Sequence, residues 1–155
     1  MSNKSRKHSI LVPVDFSHHS EVALIKACEM AQCMKVPIIV LHVVHDPGDM
    51  PGYYSTINKK NSLVRIEDLA LEMFENFMKA VKKRNPKIGA LRKAKTMLVV
   101  GLPVTRILQV IEKLDASMVV MGSQGRTGLD HMLLGSKAEQ VVRLSPIPVT
   151  IVKTK

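Results

Sequence analysis

The chain has 155 residues, which is long enough for one domain with a sizeable hydrophobic core. Hydrophobic residues make up 46% of the chain and charged residues 23%, a composition typical of globular proteins. Aromatic residues make up only 3%, so aromatic stacking is not expected to be the main means of holding single-stranded nucleic acid. The net charge of +10 favours anionic partners such as nucleotides, nucleic acid or a membrane surface.

The beginning of the chain predicts a short tail followed by a buried strand. Residues 1–7 are polar and are expected to form a loose tail. Residues 10–14 form an unbroken apolar run, as in strands that are buried on both faces of a parallel sheet. This run ends at Asp15 and is too short for the apolar region of a signal peptide. No apolar stretch approaches the ~20 residues that cross a bilayer. We therefore expect a cytoplasmic protein with no membrane partner.

Helical and strand patterns alternate along the rest of the chain. Ser17 is a candidate N-cap of the first helix, and Pro103 suits the first turn of the third. The predicted helices cover about residues 18–34, 62–84 and 136–144, and a further helix after Pro103 has its apolar face at residues 104–111. The predicted strands after the first cover about residues 38–44, 95–100, 117–121 and 149–152. Strands that alternate with helices predict an α/β fold with a parallel sheet.

A long loop and a basic segment accompany these elements. Residues 45–61 exceed an ordinary connection, and we expect this loop to be mobile without ligand and to close over a bound one. Residues 79–95 contain much of the positive charge, which forms either a solvated surface or a nucleic-acid patch. No recognised nucleic-acid module accompanies this segment, so nucleic acid is not an expected partner.

Two cysteines, Cys28 and Cys33, lie five residues apart in the first predicted helix. Their spacing is neither C-x-x-C nor that of a zinc site. We therefore expect two free thiols on different faces of the helix, each of them buried or half-buried.

A glycine-bearing loop follows the strand predicted at residues 117–121, with the spacing Gly, two residues, Gly, nine residues, Gly, Ser. The loop leads into Ser136 and Glu139, which have the S-x-x-E spacing of a helix capping box. Glycines let backbone N–H groups approach a bound group closely, and a helix N-terminus adds unpaired N–H donors and partial positive charge. The segment therefore predicts a phosphate site, and the alternative is a mobile loop with glycines at its turns.

Asp15 and Gly122 both follow predicted strands directly. Ligands of open α/β sheets bind beyond the carboxyl ends of the strands, where the strand order reverses. If the first and fourth strands are neighbours, Asp15 faces the glycine loop across a crevice. The alternative role for Asp15 is to help cap the first helix.

Four segments resemble the universal stress protein family, in its ATP-binding branch. They are ILVPVDFS, VVGLPVTRIL, VVMGSQGRTGLDHMLLGS and SPIPVTIVK, and the resemblance extends over nearly the whole chain. It implies one domain over residues 1–155, built on an open five-stranded parallel sheet of order 3-2-1-4-5. Helices would cover both faces, as in Rossmann-like and adenine nucleotide alpha hydrolase-like folds.

The resemblance also implies an adenine-nucleotide site, with ATP as the expected ligand, ADP or AMP as alternatives, and Mg²⁺ as an optional companion. By that likeness Pro13 and Asp15 line the adenine and ribose side, whereas Gly125, Gly135 and Ser136 carry the phosphates. The candidate cofactor-binding residues are Pro13, Val14, Asp15, Val43, Met121, Gly122, Ser123, Gly125, Arg126, Gly135, Ser136 and Lys137.

The sequence allows two alternative roles for each of two basic residues in this set. Arg126 could pair with phosphate or remain solvated. Lys137 is a departure from the family, whose ATP binders often carry a small or β-branched residue after the Gly-Ser pair. Its ammonium could add charge toward phosphate or point to water.

The expected function is nucleotide binding in a stress-response signalling or regulatory module. The sequence has no P-loop lysine and no clear acidic pair for magnesium, so we predict no catalytic residue and no protein metal site. ATP would set a conformation or a partner affinity, as a switch does. The alternatives are a weak ATPase and a nucleotide-independent interaction or chaperone-like protein.

The last predicted strand is a candidate dimer interface. Its residues are Val149, Thr150, Ile151 and Val152. In the order 3-2-1-4-5 it lies at a sheet edge, where unpaired N–H and C=O groups invite pairing with a second copy about a two-fold axis. The family resemblance implies such a homodimer, and the alternative is an edge covered by the tail or a helix.

Overall fold

The computed structural model describes residues 8–45, 65–125 and 134–154, and strands alternate with helices along these ranges. The strands are β1 (Ile10–Pro13), β2 (Ile38–Val44), β3 (Lys95–Val100), β4 (Met118–Gly122) and β5 (Val149–Val152). The helices are α1 (His18–Met34), α2 (Ile66–Arg84), α3 (Gly89–Lys93), α4 (Pro103–Leu114) and α5 (Ser136–Leu144). The predicted tail and, apart from His45, the predicted loop at residues 45–61 lie outside the described residues.

The five strands form one parallel sheet in the order β3-β2-β1-β4-β5. The predicted α/β fold and strand order are therefore confirmed. Central strand β1 pairs Ile10 with Ile38 of β2 on one side and with Met118 of β4 on the other. The chain runs outward through β2 and β3, then returns to the opposite side of β1, so the order reverses between β1 and β4.

Alternate residues of β1 bury their side chains on opposite faces of the sheet. Ile10 packs in a cluster with Leu24 of α1, to which α2 and α3 also contribute. Leu11 packs in a second cluster with Ile107 of α4 and Val141 of α5. Full burial of such a side chain contributes about 1.5–3 kcal/mol to the stability of the fold. Burial on both faces also explains why β1 is a continuous apolar run in the sequence.

The structure corrects the expected elements at three places. Helix α3 was not predicted; its Leu91 is fully buried, and Ile88 and Ala90 pack against the same core cluster. Helix α4 continues past residue 111 to Leu114. Cys28 is buried as expected, but Cys33 is exposed, so the expectation of two buried or half-buried thiols is wrong for Cys33.

No helix among the described residues is long and apolar enough to cross a bilayer.

Candidate functional site

The candidate site lies where β1 and β4 end side by side. These strands are parallel neighbours, paired at Leu11 and Val119, so their carboxyl ends reach the same edge of the sheet. Pro13 is the last residue of β1, and at a strand end the lack of a backbone N–H disturbs the hydrogen bonding between strands least. The N–H of Val14 still donates to the carbonyl oxygen of Leu41 in β2 at 2.8 Å, so the chain remains fixed up to Asp15.

Asp15 helps to cap the first helix, which is the alternative role that the sequence left open for it. Its Oδ1 accepts from the backbone N–H of Ser17 at 3.1 Å and from the Ser17 hydroxyl at 2.5 Å. Ser17 is in turn the N-cap of α1 and accepts from the N–H of Ser20 at 3.2 Å. One carboxylate oxygen thus supports the helix cap, and Oδ2 faces the glycine loop.

Gly125 lies directly against that second oxygen. A Cβ atom at residue 125 would be 2.8 Å from Asp15 Oδ2, closer than real Cβ contacts come. Any residue other than glycine at position 125 would displace the Asp15 carboxylate. The structure thereby confirms that Asp15 faces the glycine loop across the β1–β4 boundary, whereas the ligand role of both residues stays a prediction.

Gly122 has a packing role at the end of β4. A Cβ atom here would lie 2.9 Å from the carbonyl oxygen of His19 and 3.1 Å from its Cβ. The missing side chain therefore lets the first turn of α1 pack closely on β4. This close approach brings the start of α1, with Ser17 and Asp15 before it, to the end of β4.

The two ends of the glycine loop are joined through buried Ser123. Its carbonyl oxygen accepts the N–H of Gly135 at 2.6 Å, and its own N–H donates to the carbonyl oxygen of Val152 at 3.0 Å. The loop therefore leaves β4 and enters α5 at adjacent points. Residues 126–133, including the candidate Arg126, lie outside the described residues.

The predicted capping box at the start of α5 is wrong. Gly135 is the N-cap, its carbonyl oxygen accepts from the N–H of Glu139 at 2.9 Å, and no side chain caps this end. The helix itself spans residues 136–144 as predicted, but Gly135 occupies the N-cap position that the capping box would assign to Ser136. Ser136 is consequently the first helical residue, and it is exposed.

Lys137, whose direction the sequence left open, reaches toward the end of β2. Its Nζ lies 3.3 Å from Nε2 of His45, and His45 Nδ1 lies 3.3 Å from the carbonyl oxygen of Val43. Val43 and Met121, both candidate residues, are buried in the cluster on the α4–α5 face. Sequence reasoning missed His45, although its place directly after β2 puts it at the ligand edge of the sheet.

A buried imidazole beneath the site was also missed. His42 Nδ1 lies 2.8 Å from the carbonyl oxygen of Val14. Its ring stacks on Phe16 with centroids 4.1 Å apart. Phe16 has φ of 66°, which is rare for a bulky residue and stores strain in the turn after Asp15. The His42 ring thus holds a strained turn at the edge of the site.

Among residues 8–45, 65–125 and 134–154, no three His, Cys, Asp or Glu side chains form a group that could hold a metal ion.

Comparisons with known proteins place this arrangement in a family. The chain matches the model of the Universal stress protein family over residues 7–153. It is 32% identical to Universal stress protein MJ0577 of Methanocaldococcus jannaschii, with 94% of each chain covered. A solved structure of MJ0577 is similar to this chain with a TM-score of 0.69 at 30% identity, covering 97% of this chain and 98% of that one.

Two further solved structures share the fold. A universal stress protein in complex with cAMP has a TM-score of 0.66 at 22% identity, covering 97% of this chain and all of that one. A universal stress protein from Archaeoglobus fulgidus in complex with dAMP has a TM-score of 0.66 at 23% identity, covering 96% and 99%. With a family match over nearly its whole length, the chain belongs to the universal stress protein family.

Proposed function

We propose that this chain binds an adenine nucleotide, with ATP ahead of ADP and AMP, in the crevice where β1 and β4 end. The observation that carries the proposal is the contact between Gly125 and Asp15, which leaves a carboxylate oxygen and bare backbone facing each other where the strand order reverses. The cAMP and dAMP held by proteins of the same fold support the ligand class.

The charges along the crevice set the direction of the nucleotide. Asp15 is an acceptor and repels phosphate, so it suits the hydroxyl and amino donors of ribose and adenine. The glycine loop presents backbone N–H groups and α5 presents the Lys137 ammonium, and both suit phosphate. The base and ribose side consists of Pro13, Val14, Asp15, Val43, Met121 and Gly122. The phosphate side consists of Ser123, Gly125, Gly135, Ser136 and Lys137, together with Arg126.

We propose binding with little turnover, in a stress-response regulatory module. Fast hydrolysis requires a positioned water, a base and usually a metal clamp. Asp15, the carboxylate beside Gly125, is engaged by Ser17 and lies at the base and ribose side. A purified sample should therefore turn over ATP more slowly than about 1 s⁻¹, the low end for ordinary enzymes.

We also propose a homodimer through β5. This strand is at the sheet edge, and all four of its residues are half-buried within one chain. On adjacent α5, Val142 and Leu144 are 44% and 59% exposed, so apolar surface continues beside the open edge. A second copy of β5 would pair the outward backbone groups and cover these side chains.

Denaturing the purified protein and identifying any released nucleotide tests the ligand class. Titration calorimetry with Gly125→Ala tests the location of the nucleotide site. The added Cβ displaces the Asp15 carboxylate and should weaken ATP binding at least about tenfold. Gly89→Ala is the matched control, since a Cβ there meets nothing closer than 3.9 Å. Unchanged ATP affinity in Gly125→Ala would contradict the proposed site.

A further inference from the structure

The contact between Lys137 and His45 links two parts of the chain that lie on either side of β1. Lys137 is in the first turn of α5, which starts beside Ser123 at the end of β4. His45 directly follows β2. Since β1 lies between β2 and β4 in the sheet, the lysine side chain spans the carboxyl end of β1, where Asp15 lies.

One protonation state of the imidazole satisfies both of the His45 contacts. The Nδ1–H donates to the carbonyl oxygen of Val43, and the Nε2 lone pair accepts an N–H from the Lys137 ammonium. An ammonium group carries three N–H donors, so two more are available beyond the one given to His45. His45 therefore holds the ammonium near the end of β2 and leaves two of its N–H donors for an anion.

Charges of both signs therefore lie at this edge of the sheet. Asp15 supplies a carboxylate oxygen at the end of β1, and Lys137 supplies an ammonium group from α5. A nucleoside with a phosphate chain matches this arrangement, since its donors lie at the base and ribose and its negative charge at the other end. A nucleoside without phosphate leaves the ammonium unmatched.

We propose that Lys137, positioned by His45, selects nucleotides by the number of their phosphates, favouring ATP over AMP and AMP over adenosine. This inference rests on the proposed function and assigns the selectivity of that site to a residue pair. Lys137 is the binding residue, and His45 is a positioning residue that acts through it. Because Lys137 is exposed, solvent screening limits its effect to about tenfold in ATP affinity.

The first experiment measures ATP, AMP and adenosine affinities by calorimetry in the wild type and in Lys137→Met, which keeps the chain length and removes the charge. We expect ATP binding to weaken about tenfold, AMP about threefold, and adenosine less than about twofold. Lys113→Met, at an exposed lysine in the last turn of α4, is the control and should change none of them. Equal weakening for all three ligands, or no weakening, would overturn the selectivity.

The second experiment tests the positioning role by a double-mutant cycle. His45→Ala should weaken ATP about threefold in the wild-type background and have no effect in the Lys137→Met background. His45→Gln should retain wild-type affinity, because its amide oxygen can accept from the ammonium. Equal effects of His45→Ala in both backgrounds, or tighter ATP binding, would show that His45 does not act through Lys137.

Different results would contradict the proposed nucleotide site and the selectivity assigned to Lys137. If the wild type binds neither adenosine nor ATP, the proposed function is wrong. If both bind and their affinity ratio is the same in Lys137→Met, the site stands and the assignment of selectivity to Lys137 is wrong.

Discussion

His42 Nδ1 lies 2.8 Å from the carbonyl oxygen of Val14, so a buried side chain of β2 fixes the main chain just before Asp15. The same ring stacks on Phe16, just after Asp15. The position of the Asp15 carboxylate therefore depends on a core residue that no ligand needs to touch.

We expect His42→Leu to lower the free energy of unfolding by about 1–3 kcal/mol, because it removes a buried hydrogen bond while roughly preserving volume. ATP affinity should fall as well, since the turn that carries Asp15 loses its support. Urea denaturation and calorimetry measure the two effects. His18→Leu, at an exposed position at the start of α1, should change stability by less than about 0.5 kcal/mol. Equal stability of the His42→Leu and wild-type proteins would contradict this role.

Phe16 offers a test of stored backbone strain. At φ of 66° glycine is favoured over alanine by about 1 kcal/mol, so Phe16→Gly should be more stable than Phe16→Ala. Both variants lose the ring contacts with His42 and Phe74. In mid-helix α2 the order should reverse, with Leu71→Ala more stable than Leu71→Gly by about 1 kcal/mol. The same order at both positions would show that the Phe16 turn is not strained.

The two cysteines should differ in chemistry. Burial, with a smaller contribution from the neighbouring Glu29 charge, raises the pKa of Cys28 from 9.0 to about 12. A thiol reagent at pH 8 should therefore modify the exposed Cys33 and leave Cys28 intact in the folded protein. Mass spectrometry of the labelled protein identifies the site, and Cys33→Ala should abolish labelling. Labelling of Cys28 at a rate similar to that of Cys33 would contradict the burial.

The same pKa shift predicts how stability depends on pH. Because the folded state disfavours the Cys28 thiolate, its contribution to stability is complete below pH 9 and is lost as pH rises toward 12. Other groups also titrate in this window, so the difference between wild type and Cys28→Ala isolates the effect. The wild-type advantage over Cys28→Ala should shrink as pH rises above 9, and a constant difference would oppose the linkage.

Dimerisation through β5 can be tested without disturbing the sheet. The carbonyl oxygens of Pro148 and Val152 accept hydrogen bonds from the β4 side. The backbone N–H and C=O groups of the even-numbered residues therefore point toward β4, and the N–H of Ile151 points away from it, toward the open edge of the sheet. Ile151→Pro should therefore yield a folded monomer, whereas Thr150→Pro should also disrupt the β4 ladder and lower stability. Sedimentation at micromolar concentration and circular dichroism separate these results. A monomeric wild type, or an Ile151→Pro variant that remains dimeric, would exclude this interface.

The sequence predicted the sheet well because the apolar runs of β1, β2 and β4 are mostly buried, and short unbroken apolar runs bounded by turn residues are typical of such strands. The glycine spacing likewise located the loop beside Asp15. By contrast, His45 contacts Lys137 across 92 residues and His42 contacts Val14 across 28, and no local pattern records such pairs. The capping box failed although the helix bounds were right, since Gly135 and not Ser136 is the N-cap, and the Gly135 N–H bonds to Ser123 at the other end of the loop.

Ser123 is bonded on one side to Gly135 and on the other to Val152 of the edge strand. The glycine loop and the proposed subunit contact are therefore separated by one residue. A displacement of Ser123 by a ligand would change the backbone of β5 directly, without passing through the hydrophobic core. By thermodynamic reciprocity, any factor by which nucleotide alters the dimerisation constant must equal the factor by which dimerisation alters nucleotide affinity. The two Ser123 hydrogen bonds are therefore the link through which the proposed nucleotide site and the proposed dimer contact would be coupled.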